Sequence, residues 1–386
     1  MSVARVAAEP VGPARDAAFE HALEVLRNRR DEFNAQGFVP RDYVDQLKRA
    51  GLYRASTPKR FGGDELPPAD FLRRIEAIST IDPATGWVAS FGSSLIYLAA
   101  LPLETQAELY ADGPDVAFAG ALFPMQPAEP ADGGYRVTGS WLFGSGCRGA
   151  DVLGVGLAGG PASQGRPMTA VLRPDQVEII DNWDVAGMKA TGSHELRVKD
   201  VFVPDAWTFV RGGEATVDGP LYRYPALAYA AQVLAVTALG AARGALDHVR
   251  EVGSPRTSIT GGPPRAVKPN FQSGLARAEA RLRSARAWFF EATDALYELA
   301  VAGAKPTRDQ VGLLRLAASH AAHEGRRVTL AAYDLAGTGA IYRTHPLQRF
   351  LQDALVPAQH AFLQDATYEA AGGLLLGLDP SLPSFP

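Results

Sequence analysis

Two stretches carry most of the structural information in this 386-residue chain: Gly134-Tyr-Arg-Val-Thr-Gly-Ser-Trp-Leu-Phe-Gly-Ser-Gly146 and Trp183-Asp-Val-Ala-Gly-Met-Lys-Ala-Thr-Gly-Ser193. Each lies among short apolar or alternating runs separated by Gly, Pro and Asp, a texture typical of β-strands joined by frequent turns. The sequence therefore predicts a small antiparallel sheet. Its predicted strands cover residues 135–137, 152–157, 168–172, 177–180 and 195–203.

Both flanks of this sheet have helical patterns. On the N-terminal side, Phe19, Leu23 and Leu26 recur at helical spacing. On the C-terminal side, four long Ala-rich segments predict helices that pack closely in a bundle; they cover residues 229–252, 274–302, 308–335 and 345–375. We therefore expect an α+β fold that is mostly α. It has an N-terminal helical domain (1–114), a middle β-sheet domain (115–215) and a C-terminal four-helix bundle (216–386).

Composition excludes several classes of function. The formal net charge is −4 and the basic residues are scattered, so neither a nucleic acid nor an anionic membrane surface is an expected partner. Cys147 is the only cysteine, which rules out an intramolecular disulfide. No apolar run reaches the length of a membrane-spanning helix, and no signal-peptide pattern begins the chain. We expect a cytoplasmic enzyme.

Two motifs suggest chemistry that their context does not support. Residues 144–149 match the dinucleotide fingerprint G-x-G-x-x-G, but the residues that follow predict a strand rather than the required helix. His320 and His323 lie three apart beside Glu324, without the spacing of a zinc motif or a further ligand. We therefore expect neither a Rossmann site nor a metal.

The two opening stretches resemble the flavin-contacting segments of the acyl-CoA dehydrogenase superfamily. Residues 52–63 resemble that family's N-terminal signature. Residues 337–342, followed by 346–354, resemble its C-terminal helix-turn-helix. These features run in family order over most of the chain, so the resemblance implies the acyl-CoA dehydrogenase fold and a flavin cofactor.

The residues of both stretches suit a flavin. Its ring needs an apolar surface, which Trp183 can supply, and hydrogen-bonding groups at its edge. Hydroxyls and exposed amides suit that edge or a phosphate, and glycines let the backbone approach a flat ligand. For each residue alone, a turn glycine or a core tryptophan remains the alternative. The candidate cofactor-binding residues are Phe143, Gly144, Ser145, Gly146, Trp183, Thr191, Gly192 and Ser193.

Two arginines are further candidates. Arg256 and Arg265 lie between the first two long C-terminal helices, where the family has an arginine that reaches the flavin phosphates of a neighbouring subunit. The family's Arg-x-Gln-Phe-Gly pattern is absent here. Solvated loop arginines therefore remain the alternative.

The catalytic base of the common acyl-CoA dehydrogenases is missing. Aligned on Pro346 and Asp353, the place of their catalytic glutamate falls at Ala361, and His360 precedes it. An alanine cannot accept a proton, although some members carry the base on another helix. Asp365, four residues on, is a weak substitute.

These departures resemble the flavin-dependent monooxygenases on this fold, through Ser145-Gly-Cys147 and His360. The oxygenase components acting on indoles, indole-acetate and p-hydroxyphenylacetate are the most similar. The resemblance implies that a separate reductase supplies reduced flavin, that O2 forms a C4a-hydroperoxide, and that an aromatic substrate is hydroxylated. Ser145 would bond near the flavin N5, and His360 would activate the substrate or donate to the peroxide. A backbone-bonded serine and a core or interface histidine remain the alternatives.

The expected cofactor is FAD, with FMN as the alternative, and the expected assembly is a homotetramer. The expected partners are a small aromatic substrate, O2 and a flavin reductase. Two other functions stay open: a dehydrogenase or N-oxidising flavoenzyme on the same fold, and a helical scaffold without a cofactor.

Overall fold

The computed structural model describes residues 12–160, 163–253 and 263–380, together with Leu382 and Phe385. The described chain forms two compact units. The first holds residues up to Pro67, Val88–Asp184 and Lys189–Ala226, and the second holds Pro68–Trp87, Val185–Met188 and the chain from Leu227. The predicted division into three domains stays a prediction.

All described strands belong to the first unit and form one sheet. They are β1 (Phe118–Gln126), β2 (Glu129–Ala131), β3 (Gly134–Gly144), β4 (Val152–Leu157), β5 (Met168–Leu172), β6 (Glu178–Ile180), β7 (His194–Pro204) and β8 (Thr208–Val210). The order is β6-β7-β3-β1-β4-β5-β8, with β2 paired to β3.

The sheet is mixed rather than purely antiparallel. β1 and β4 are parallel, so the prediction is wrong for this pair. The chain reverses direction between β1 and β3 and again between β3 and β4. β4 therefore runs in the direction of β1, and it lies on the side of β1 opposite to β3. Trp141 lies fully buried in the core of the sheet, and its indole Nε1 donates to the carbonyl oxygen of Gly156 over 2.6 Å.

Helices precede and follow the sheet in the sequence, and they belong to both units. They are α1 (Pro13–Gln36), α2 (Arg41–Arg49), α3 (Pro68–Ile81), α4 (Pro83–Ser90), α5 (Leu95–Leu98), α6 (Leu103–Leu109), α7 (Pro220–Arg223), α8 (Ala226–Gly253), α9 (Pro269–Val301), α10 (Arg308–Ala336), α11 (Pro346–Ala354) and α12 (Asp365–Leu375). The first three long C-terminal helices agree with the predicted segments. The mostly α, α+β fold class is confirmed.

The fourth predicted segment, 345–375, is not one helix. α11 ends at Ala354, a short 3-10 helix covers Pro357–Gln359, and α12 begins at Asp365. Pro357 explains the break, because proline lacks the amide that a continuing helix needs and disfavours helical geometry at the residue before it. His360 therefore lies in a turn and not within a helix.

Within the second unit, α3 packs closely against α8 and α9. A Cβ at Gly240 of α8 would lie 2.4 Å from the Cβ of Ser79, so the two helices approach through a missing side chain. Arg286 of α9 donates from Nε and Nη2 to the two carboxylate oxygens of Glu76 over 2.7 and 2.8 Å. This bidentate geometry makes the pair more specific than a single contact.

Of the described helices, α8 alone is long and apolar enough to cross a membrane by length and composition, with a mean hydropathy of 1.3 over its most apolar window. Within the fold, 78% of that window is buried. This burial is typical of a core helix in a globular unit.

Gly240→Ala should destabilise the protein by about 1 to 3 kcal/mol, because the added methyl group overlaps Ser79 in a packed core. Gly372→Ala is the matched control, since a Cβ at this helical glycine would meet nothing within 4 Å. Relief of glycine's helical cost should make it neutral or stabilising by up to about 1 kcal/mol. Urea unfolding of both variants measures the difference; equal stabilities would contradict the close α3–α8 approach.

Candidate active site

Three buried hydroxyl groups of the first unit form a chain of hydrogen bonds. Ser193 Oγ lies 2.6 Å from Ser145 Oγ and 2.6 Å from Thr191 Oγ1. None of these residues is more than 6% exposed. The two short bonds link the three hydroxyls into one buried network.

The pairing of β3 with β7 brings these hydroxyls together. Gly144 and His194 are Cα partners at the end of the pair, and the Gly146 amide donates to the Thr191 carbonyl over 2.8 Å. The two predicted cofactor segments therefore meet in the fold.

Gly192 joins Thr191 to Ser193 and requires the absence of a side chain. Its φ is +50°, and a Cβ there would lie 2.8 Å from the Cβ of Phe38. Both the left-handed backbone and the close packing favour glycine.

Aromatic and aliphatic side chains are exposed on β3 directly before Ser145 and on the neighbouring strand β1. Phe143 is 62% exposed, and its ring stands perpendicular to that of Trp183 with 6.2 Å between centroids. Its φ of +67° is rare for a residue with a side chain and indicates local strain. Phe123 and Leu142, paired across β1 and β3, are also exposed.

The hydroxyl segment consists of residues 191–193 together with Ser145. His194 and Cys147 lie buried next to it. Burial lowers the pKa of His194, with nearby Arg148 adding to the effect and Asp181 opposing it. The ring is thus neutral at neutral pH, and its Nδ1 lies 3.4 Å from Asp181 Oδ1 without a hydrogen bond among the described residues. Burial raises the pKa of the Cys147 thiol to about 11 and outweighs Arg148, so Cys147 is not a thiolate.

These features fit a flat heterocycle with apolar faces and a hydrogen-bonding edge. The exposed ring of Phe143 and the indole of Trp183 offer aromatic surface, and the buried hydroxyl chain offers hydrogen-bonding groups. A flavin has both kinds of surface. The first unit thus has the groups to hold the cofactor that the resemblance implies.

His360 lies in the second unit, directly after the 3-10 helix Pro357–Gln359. Its Nδ1 accepts a hydrogen bond from the Phe362 amide over 3.2 Å. The neutral ring therefore carries its proton on Nε2, which makes Nε2 a donor. The indole of Trp87 meets the imidazole edge-on, with 5.9 Å between centroids.

The neighbours of His360 offer no buried carboxylate in the place of the dehydrogenase base. Ala361, which stands at the predicted place of the dehydrogenase glutamate, is exposed. The side chain of Asp365 is 89% exposed and lies 3.9 Å from His323 Nε2. An acid so open to water lacks the enclosed setting that activates a catalytic base.

Two carboxyl groups of the second unit are buried, which the sequence did not predict. Asp353 Oδ1 accepts the Met188 amide over 2.5 Å, and Asp82 Oδ2 accepts the amide and hydroxyl of Thr85. Their other oxygens, Asp353 Oδ2 and Asp82 Oδ1, make no hydrogen bond within the described chain, although Arg349 Nη1 lies 4.0 Å from the latter. Burial raises the pKa of Asp353 to about 8, and the charge of Asp82 adds to the rise.

Asp353 fixes the segment Val185–Met188, which leads into the hydroxyl segment along the chain. Next to Met188, a Cβ at Gly187 would lie 2.2 Å from the carbonyl oxygen of Gln352. The segment therefore lies directly against the C-terminal end of α11.

Of the two predicted phosphate-binding arginines, the structure describes Arg265. The Arg265 guanidinium donates to the Ala336 carbonyl and is half-buried, so it is not simply a solvated loop residue. Arg256 lies outside the described residues.

The two rejected motifs have structural roles or none. The stretch Cys147–Gly149 is a 3-10 turn that leads into β4, so no helix follows the glycines. The ring of His320 packs on Trp288, and His323 Nε2 bonds to the Leu363 carbonyl. Among the residues that the structure describes, no cluster of His, Cys, Asp or Glu could hold a metal.

Known proteins match this chain along nearly its whole length. Residues 13–111 match the acyl-CoA dehydrogenase N-terminal domain, and residues 232–365 match the acyl-CoA dehydrogenase C-terminal domain. An indole-3-acetate monooxygenase from Pseudomonas putida is 47% identical over 373 residues, 95% of each protein. The oxygenase component of an FADH(2)-dependent resorcinol hydroxylase from Rhizobium sp. is 32% identical over 89% of each. The crystal structure of 3-HSA hydroxylase from Rhodococcus sp. RHA1 superposes with a TM-score of 0.88 at 25% identity, covering 97% of this chain and 99% of that one.

Asp353→Asn should flatten the pH dependence of stability. Folding raises the pKa of this carboxyl from about 4 to about 8. Between these values the folded protein binds more protons than the unfolded chain, so the wild-type free energy of unfolding falls as pH rises. The variant should lose the part of this slope that one titrating proton contributes, which is up to about 1.4 kcal/mol per pH unit.

Urea unfolding at several pH values between about 5 and 8 measures this slope. Asp334→Asn, which changes an exposed acid on α10, is the control and should keep the wild-type slope. An unchanged slope in the Asp353 variant would show that this carboxyl does not hold its proton in the fold.

Proposed function

The chain belongs to the acyl-CoA dehydrogenase superfamily, among its flavin-dependent monooxygenases, and we propose on this premise that it is the oxygenase component of a two-component system. It hydroxylates a small indole-like or phenol-like molecule with reduced flavin and O2. Positions 360 and 361 carry this conclusion. Ala361 cannot take a proton from a thioester, whereas His360 beside it presents an imidazole N–H that can donate a hydrogen bond to a reacting oxygen.

Reduced flavin, when bound, supplies the electrons with which O2 is activated. Phe143 and Trp183 would contact the ring, Gly144 and Gly146 would let the backbone approach it, and the hydroxyl segment would bind its edge. We propose FAD rather than FMN, which the name of the FADH(2)-dependent relative supports. Arg265 keeps further guanidinium N–H groups besides the one bound to Ala336, so it and Arg256 remain candidates for the phosphates.

Ser145 is the proposed hydrogen-bonding group at the flavin N5 edge. Its Oγ bonds to Ser193 Oγ, which in turn bonds to Thr191 Oγ1, so the Ser145 hydroxyl is oriented by two further groups. A hydrogen-bonding group that is held in place before the reaction stabilises the charge that develops there, because the group does not have to reorganise. Burial of all three hydroxyls also keeps water from competing for their hydrogen bonds.

His360 is the proposed hydrogen-bond donor to the reacting oxygen. Because its Nδ1 already accepts the Phe362 amide, the neutral ring offers Nε2–H. This arrangement supports donation in preference to removal of a substrate proton. Trp87, edge-on to the imidazole, would supply aromatic surface for a flat substrate.

The remaining partners follow from the same proposal. A separate flavin reductase supplies the reduced cofactor, and the protein acts as a cytoplasmic homotetramer. Exposed apolar side chains of the second unit support assembly, because a solvated monomer gains by covering them. They are Ile341, Tyr342, Leu375, Leu376 and Leu378, each at least 60% exposed.

Indole-3-acetate is the first substrate to test, since it names the activity of the 47% identical relative. Purified protein is loaded with chemically reduced FAD without oxygen and mixed with buffer containing oxygen-18 gas. Hydroxylated product should carry one oxygen-18 atom by mass spectrometry, and flavin reoxidation should differ in rate from that of free flavin. Reoxidation like that of free flavin, without product from any indole or phenol, would overturn the proposal. Reduction of oxidised FAD by an acyl-CoA thioester would establish the dehydrogenase alternative.

Ser145→Ala and His360→Gln should each lower the yield of product per flavin oxidised on the order of 10²-fold, with H2O2 released instead. Loss of one positioned donor should leave flavin binding nearly intact. Ser140→Ala, on β3 and outside the hydroxyl chain, is the control and should keep the wild-type yield. Peroxide assays with product quantification test this, and wild-type yields in both variants would remove these residues from the mechanism.

A further inference from the structure

The turn that carries His360, residues 360–364, is held by side chains of two helices. Arg315 of α10 donates from Nη2 to the carbonyl oxygen of Phe362 over 3.4 Å, and Thr367 of α12 donates from Oγ1 to the same oxygen over 3.2 Å. Arg315 is only 1% exposed, and its guanidinium lies 5.3 Å from the centre of the Phe362 ring. Both the carbonyl and the ring of Phe362 are therefore fixed from α10.

His323, two turns further along α10, holds the next carbonyl of the turn. Its Nε2 lies 3.0 Å from the carbonyl oxygen of Leu363. A carbonyl oxygen only accepts, so His323 Nε2 must be the donor. The imidazole is 14% exposed and packs edge-on against Tyr368 with 5.2 Å between centroids.

The turn is connected to the His360 ring through the Phe362 amide, which bonds to the ring nitrogen Nδ1. The Leu363 and Gln364 amides donate to the His360 carbonyl over 2.8 and 3.0 Å, which closes the turn. In that closed shape the Phe362 amide points at His360 Nδ1. If the turn opened, Nδ1 would lose its donor and the two neutral tautomers of the ring would become closer in energy.

We propose that His323 is a positioning residue that sets the tautomer of His360. By binding the Leu363 carbonyl it keeps the turn closed, and the closed turn commits the neutral His360 ring to a proton on Nε2. The inference rests on the proposed function, in which Nε2–H donates a hydrogen bond to the reacting oxygen. Arg315 and Thr367 hold the adjoining carbonyl and assist.

The chain offers a matched set of variants. His323→Phe keeps a ring against Tyr368 and removes only the donor. His323→Gln places an amide N–H near the position of Nε2 and should restore the bond. His320→Phe makes the same substitution one turn away on α10, where the ring packs on Trp288 and not on the turn.

The first readout is the tautomer itself. Solid-state NMR of protein labelled with nitrogen-15 only at its 7 histidines reports which ring nitrogen carries the proton, and His360→Gln identifies the signals of His360. In the wild type, in His320→Phe and in His323→Gln, His360 should show a bare Nδ1 and a protonated Nε2. In His323→Phe these signals should shift toward a mixture of tautomers. Unchanged signals in that variant would overturn the inference.

The second readout is the yield of hydroxylated product per flavin oxidised. His323→Phe should lower it on the order of 10-fold, because only the fraction of rings with the correct tautomer can donate, while KM stays unchanged. Thermal unfolding checks that each variant folds. If His323→Phe does not fold, His323→Met against His323→Gln makes the same comparison.

The two proposals fail in different ways. If His360→Gln keeps the wild-type yield, His360 is not the donor, yet the NMR comparison still decides whether His323 sets its tautomer. If His360→Gln loses yield while His323→Phe changes neither signals nor yield, the proposed function stands and the positioning role is wrong.

Discussion

Hydrogen bonding between β3 and β7 is the constraint on which the candidate site depends. It joins Ser145 to Ser193, which are 48 residues apart in the sequence, at the point where Gly144 pairs with His194. Side chains alternate between the faces of a strand, so a slip of one residue in this pairing would turn Ser193 away from Ser145. A ladder of backbone bonds thus sets the relation between two side-chain hydroxyls.

The second unit solves a similar problem with buried polar side chains instead of a sheet. In the His360 turn, backbone amides bind the His360 carbonyl, whereas Arg315, Thr367 and His323 bind the carbonyls of Phe362 and Leu363. Asp353 does the same for the amide of Met188. Such groups are costly to bury, and each is retained here with a backbone partner that an apolar replacement would leave unsatisfied.

Much of this could be predicted from the sequence, where the signal is local. Strand texture and helical spacing gave the mostly α fold with a sheet in the middle, and the order of motifs gave the family. The break at Pro357 was missed because the Ala-rich pattern continues on both sides of it. The parallel pairing of β1 with β4 depends on chain reversals that no local pattern records. The Asp82–Asp353 pair was missed for another reason: the sequence shows two acids, and only the fold shows that both are buried.

Phe143 has a consequence for the lifetime of the protein. An aromatic side chain that is 62% exposed on a backbone with φ of +67° is unfavourable in water, and a ligand that covers it offsets part of that cost. A ligand that binds only the folded state raises the free energy of unfolding with its concentration. If the ligand is a flavin that arrives by diffusion, the folded fraction of this protein follows the supply of that flavin. In a cell that stops making reduced flavin, proteolysis would then remove idle oxygenase faster than working oxygenase.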